Sequence, residues 1–84
     1  MFIYAFTFRS FTAAQSGRNV LQQLMMEALV QRAPKNLSVQ GCGYVLRVQA
    51  EDGVRAAEAL RMYGVPFVQI YRCFANGVCQ EAEL

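Results

Sequence analysis

The segment Phe2–Phe8 constrains the fold most, because it is apolar on both faces that a strand would present. Side chains alternate along an extended chain, so the four aromatic residues at even positions share one face and Ile3, Ala5 and Thr7 share the other. Strands that are apolar on both sides are typical of the interior of a sheet. We therefore predict a central strand, in a chain of 84 residues that has the length of a single domain.

A helix is predicted directly after this strand, with Ser10 or Thr12 as its N-cap. In the segment Met26–Arg32, apolar side chains at even positions (Met26, Ala28 and Val30) alternate with Glu27, Leu29 and Gln31, which favours a second strand. One long helix that continues to Ala33 fits the same residues, and periodicity alone does not separate the two alternatives.

The second half of the chain repeats this order. A loop over 34–41 precedes a predicted strand at Gly43–Ala50, a helix capped by Asp52 and ended by Gly64, and a strand that starts at Pro66.

The pair Asn76-Gly77 is typical of a type I′ hairpin and predicts a short edge strand at Val78–Ala82. The full order predicts an α+β fold, a ferredoxin-like βαββαβ sandwich with a four-stranded antiparallel sheet and two helices on one face. The hairpin would add a C-terminal strand to that sheet. Right-handed crossovers would place the first and third strands side by side in the middle.

Cys42 is the candidate functional residue, because Gly41 and Gly43 flank it. A structural cysteine normally packs among bulky apolar neighbours, whereas glycines leave the sulfur uncrowded. We predict a thiol that is open to solvent at the end of a loop. The same glycines also fit a tight turn that directs the sulfur inward, and the residues alone favour neither interpretation.

The predicted topology brings Cys42 to the edge of the sheet where the first helix begins. A thiol near a helix N-terminus and a cation has a lowered pKa and is more reactive. Arg9 is the first candidate cation, Ser10 could donate a hydroxyl hydrogen bond, and Arg32 and Lys35 are the next candidates.

Cys73 and Cys79 flank the predicted hairpin and could approach one another, although we expect them to be apolar filler residues. A strand of about seven residues at ~3.3 Å each separates Cys42 from Cys73 by roughly 20 Å, too far for a disulfide. The chain has no histidine, and two thiols without a third ligand do not make a convincing metal site. We expect no metal and no cofactor.

Composition limits the binding partners and the cellular compartment that we expect for this protein. The eight basic and six acidic residues are scattered, which argues against a nucleic-acid surface. No apolar run approaches the ~20 residues of a membrane span, and the N-terminus lacks a signal-peptide pattern. The odd number of cysteines fits a reducing compartment, so we expect a cytoplasmic protein. The 55% of hydrophobic residues suggests a homodimer.

Several short motifs together carry a family resemblance. Thr7-Phe8-Arg9-Ser10 precedes a helix, and Pro34-Lys35 and Leu37-Ser38 precede Cys42-Gly43-Tyr44-Val45-Leu46-Arg47-Val48. From Phe2 to about Arg72 the chain resembles a small bacterial family described as putative selenium/sulfur carrier protein-like. The resemblance implies that Cys42 carries sulfur or selenium, with a cysteine desulfurase or a selenium-metabolism protein as donor.

Two functions from different classes follow. The first is a carrier that holds sulfur or selenium on Cys42 as a persulfide-type adduct. The second is a non-catalytic, dimeric interaction or regulatory module in which Cys42 is a packing residue. A true enzyme with Cys42 as nucleophile ranks last, because no general base is visible.

Overall fold

The computed structural model describes residues 1–84. It has an α+β fold with one five-stranded antiparallel sheet in the order β2-β3-β1-β4-β5. The strands are β1 (Phe2–Phe8), β2 (Ala28–Arg32), β3 (Tyr44–Gln49), β4 (Ile70–Phe74) and β5 (Cys79–Ala82), and the helices are α1 (Phe11–Gln23) and α2 (Gly53–Met62). Neither helix combines the length and the apolar character that crossing a membrane requires.

Strand β1 lies at the centre of the sheet, as its two apolar faces predict. It pairs with β3 on one side and with β4 on the other, both antiparallel. The α+β prediction is therefore confirmed. The finer prediction of a four-stranded ferredoxin-like sheet is not confirmed as such, because β5 extends the sheet to five strands.

Helix α1 ends before β2, so the alternative of one long helix to Ala33 is wrong. The Ser10 side chain accepts a hydrogen bond from the Ala13 amide at the start of the helix. At its end, Met25 adopts a left-handed conformation with φ 65° and reverses the chain toward β2. No glycine marks this turn, which is why the sequence left the boundary open.

Three local predictions need correction. Asp52 precedes α2 but makes no capping hydrogen bond, and its carboxylate lies 3.6 Å from the Arg55 guanidinium instead. Strand β4 begins at Ile70 rather than at Pro66, whose ring nitrogen has no hydrogen to donate. The hairpin is not type I′, because Gly77 has a positive φ (89°) and Asn76 does not.

The sheet has two differently covered faces. Both helices pack on one face, where Phe6, Phe8, Leu21, Leu46 and Leu60 are fully buried. A smaller cluster lies on the other face and consists of Ala5, Leu37, Val45 and Tyr71. Residues 33–43, hereafter the cover loop, contribute Leu37 to this second cluster.

Candidate functional site

Cys42 is a free thiol whose residue is 1% exposed. The prediction that its sulfur is open to solvent is therefore wrong. The flanking glycines do not crowd the sulfur, but they also do not prevent other parts of the chain from covering it. The inward-facing alternative describes its position correctly.

Leu37 is the buried residue that the cover loop contributes to the second cluster. A short 3-10 turn at Lys35–Leu37 directs Leu37 onto the second cluster, and Leu37 is only 2% exposed. Backbone hydrogen bonding closes the base of the loop, where the Ala33 amide donates to the Gly43 carbonyl at 2.9 Å.

The loop makes a tight turn immediately before the thiol. Gln40 and Gly41 both adopt left-handed conformations, with φ 56° and 77°, and the Cys42 amide donates to the Val39 carbonyl at 2.9 Å. Only Gly41 is needed for its backbone conformation. Gly43 has no positive φ, and a β-carbon there would meet no neighbouring atom.

Arg9 holds this turn in place. Its Nε donates to the Gln40 carbonyl at 3.0 Å, and Phe8 pairs with Tyr44 across the sheet. The predicted meeting of the end of β1 with the start of β3 is thus confirmed. The Arg9 side chain contacts the backbone of the cover loop, however, and makes no hydrogen bond to the Cys42 side chain.

The other predicted site residues are less closely involved. Ser10 uses its hydroxyl oxygen to cap α1. The Arg32 guanidinium lies 5.9 Å from the centre of the Tyr44 ring, and Lys35 is an exposed residue of the 3-10 turn. No hydrogen bond joins any of these side chains to Cys42.

Tyr71 is the neighbour of Cys42 that the sequence reasoning missed. Burial raises the pKa of the Tyr71 phenol above 10.0, and the negative charges of Glu81 and Cys42 raise it further. Tyr71 itself belongs to the second cluster, on the sheet face opposite the helices. Its phenol stays protonated at neutral pH.

We expect this coupling to be visible in an alkaline titration. Ultraviolet difference spectroscopy, with Tyr71→Phe to assign the signal, should show that Cys42→Ser and Glu81→Gln each lower the pKa of Tyr71. Stability that depends on the neutral phenol is complete below pH 10.0 and is lost as the pH rises through the higher folded-state pKa. An unchanged Tyr71 titration in Cys42→Ser would show that the two side chains are not coupled.

Cys73 and Cys79 form a disulfide, so the expectation of two filler thiols is wrong. The residues face one another directly across β4 and β5, with their Cα atoms 4.1 Å apart. Tyr71 precedes Cys73 by two residues in β4, so the two side chains share the face that the helices leave open. The sequence predicts that both cysteines flank the hairpin, but it does not predict that they pair directly across the two strands.

A groove of about 610 Å³ runs along this open face, from the disulfide to the cover loop. Its walls include Ile3, Ala5, Leu37, Val45 and Arg47. The Arg47 guanidinium is held by the Gln31 side chain at 3.3 Å. No group of three or more His, Cys, Asp or Glu side chains lies together as a metal site would require.

Comparison with known families agrees with the sequence resemblance. Residues 4–72 match the family described as putative Se/S carrier protein-like. The chain belongs to this family. No curated protein and no solved structure matches the chain.

The geometry explains the first motif of the family resemblance. Thr7 is fully buried and its hydroxyl accepts a hydrogen bond from the Gln69 amide at 3.1 Å, which fixes the segment before β4. Phe8 fills the core, Arg9 holds the cover loop and Ser10 caps α1. The motif therefore positions the end of the sheet at which Cys42 lies.

Proposed function

We propose that this protein carries sulfur or selenium as a covalent adduct on Cys42. Membership of the Se/S carrier protein-like family is the observation that carries this proposal. Two features of the structure support it. Cys42 is the one cysteine outside the disulfide, and the turn that precedes it is held by two hydrogen bonds.

Burial of the thiol requires that the cover loop opens during transfer. The turn before Cys42 is held by the Arg9 hydrogen bond and by one backbone hydrogen bond to Val39. Surface segments with so few interactions open locally at a small fraction of the free energy of global unfolding. In the closed state the cover loop keeps water and competing thiols away from the adduct.

Transfer then proceeds by exchange at sulfur. The Cys42 thiolate attacks the terminal sulfur of a donor persulfide, a new sulfur–sulfur bond forms on Cys42, and the donor thiolate leaves. The transferred sulfur or selenium is then the terminal atom of the adduct on Cys42. An acceptor thiolate repeats the attack on the terminal atom and releases Cys42.

The donor in this proposal is a cysteine desulfurase or a selenium-metabolism protein. Arg32 and Lys35 are exposed on the cover loop or beside it, and they suit a partner with an acidic surface. A homodimer remains compatible with the exposed apolar side chains, among them Leu29 at 54% in the edge strand β2.

Mass spectrometry tests the proposal directly. The protein is incubated with a cysteine desulfurase and cysteine while the Cys73–Cys79 disulfide stays intact, so that Cys42 is the only free thiol. We expect the parent to gain the mass of one sulfur atom and Cys42→Ser to gain none. Equal gains in both proteins would exclude Cys42 as the acceptor.

The burial of Cys42 favours a second candidate, the interaction module in which this residue only packs. The rate of alkylation of the thiol separates the two functions. A carrier exposes Cys42 by local opening, so its alkylation is insensitive to mild changes in global stability. Alkylation that occurs only upon global unfolding would support the module.

A further inference from the structure

We propose that Cys73 and Cys79 form a second sulfur site, a dithiol that reduces the sulfane sulfur of a low-molecular-weight persulfide bound in the adjacent groove. The proposal rests on the sulfur chemistry of the proposed function. It concerns residues outside the part of the chain that matches the family, which ends at residue 72.

The position of the pair supports a reactive role. Both cysteines are partly exposed and line the groove on the open face of the sheet, whereas a purely structural disulfide is more often enclosed. They bridge two strands that backbone pairing already joins, as the register from Ile70–Ala82 to Cys73–Cys79 shows. Opening the bond therefore leaves the two sulfurs facing each other and ready to close again.

The groove fits a small anionic sulfur compound. Arg47, which donates a hydrogen bond to Gln31, and Arg32 place two positive charges along the groove that the cysteines line. Apolar side chains, among them Ile3 and Val45, line much of the rest of the wall. A persulfide anion with a short organic group matches this combination of cations and an apolar wall.

The reaction balances in two steps. The Cys79 thiolate attacks the terminal sulfur of the persulfide RSSH, forms a Cys79 persulfide and expels RS⁻, which takes a proton. The Cys73 thiolate then attacks Cys79 Sγ, forms the disulfide and expels HS⁻, which also takes a proton. The sum is RSSH plus two thiols giving RSH, H₂S and the disulfide, so two electrons pass from the cysteines to the transferred sulfur.

Cys79 is the attacking residue because it lies on β5, the edge strand, where no further strand blocks the approach. Cys73 resolves the intermediate because β1 and β5 enclose its own strand. A cellular dithiol reductant would return the disulfide to the starting state.

The experiment uses the fully reduced protein and ethyl persulfide, with released sulfide trapped by a fluorescent bimane and the protein mass recorded. We expect one equivalent of sulfide for each disulfide formed in the parent. In a Cys42→Ser background, Cys73→Ser should retain the added sulfur on Cys79 and release no sulfide, and Cys79→Ser should neither gain sulfur nor release sulfide. If these variants fold poorly, the ratio of sulfide released to disulfide formed in the chemically reduced parent protein tests the proposal.

Cys42→Ser is the control that separates this proposal from the carrier function. It should release sulfide like the parent even if Cys42 never accepts sulfur from a desulfurase. Sulfide release that requires Cys42, or release without formation of the disulfide, would overturn the proposal.

Discussion

Truncation of Leu37 to alanine is expected to lower the free energy of unfolding by about 2–5 kcal/mol, because it removes most of a buried leucine side chain. Leu37 is 2% exposed and is the cover-loop residue that packs on Ala5, Val45 and Tyr71. The loss weakens the closed loop directly, so Cys42 should also be alkylated much faster. Denaturant unfolding and alkylation kinetics measure the two effects.

Val39→Ala is the matched control, since it shortens an apolar side chain of the same loop that is 43% exposed. It should change stability by no more than about 0.5 kcal/mol and leave the alkylation rate close to that of the parent. A Leu37→Ala protein that is less stable but protects Cys42 as well as the parent would contradict the assigned cover role.

Arg9→Ala is expected to accelerate alkylation of Cys42 by about tenfold, which corresponds to the loss of a charged hydrogen bond at the lower end of its range, ~1.5 kcal/mol. The hydrogen bond from Arg9 Nε to the Gln40 carbonyl is exposed, so the lower end applies. The effect should fall on local opening, and global stability should change little. Quenched-flow alkylation and denaturant unfolding measure these two quantities.

Lys35→Ala removes a positive charge from the same loop without removing a hydrogen bond to the turn. The alkylation rate of this variant should stay within a factor of about two of the parent if the hydrogen bond matters rather than the charge. Equal acceleration in both variants would indicate that Arg9 acts only through the local electrostatic field.

The pattern of the chain predicted the fold class and most elements because those depend on local alternation and capping. Phe2–Phe8 predicted a central strand, and the hairpin residues predicted an additional C-terminal strand, which the structure shows as β5. The start of β2 was ambiguous because Met25, a residue that seldom adopts a positive φ, makes the turn. The left-handed conformation of Met25 depends on tertiary packing, so the local sequence does not predict it.

The candidate site was predicted less completely, because local sequence describes the backbone around Cys42 and not what covers it. Gly41 indicates a turn, and the turn is present. The burial of Cys42 is a tertiary property that Gly41 and Gly43 do not encode, and the second cluster likewise joins Leu37 from a loop to Tyr71 from β4. The pairing of Cys73 with Cys79 depends on strand register, which a difference of one residue in the hairpin would have altered.

The helices occupy one side of the sheet, so the groove that the disulfide lines is approached from the other side alone. A protein that docks on this open face would cover the groove and leave a small molecule no route to Cys73 and Cys79. Docking on that face and entry of a small molecule into the groove are therefore mutually exclusive.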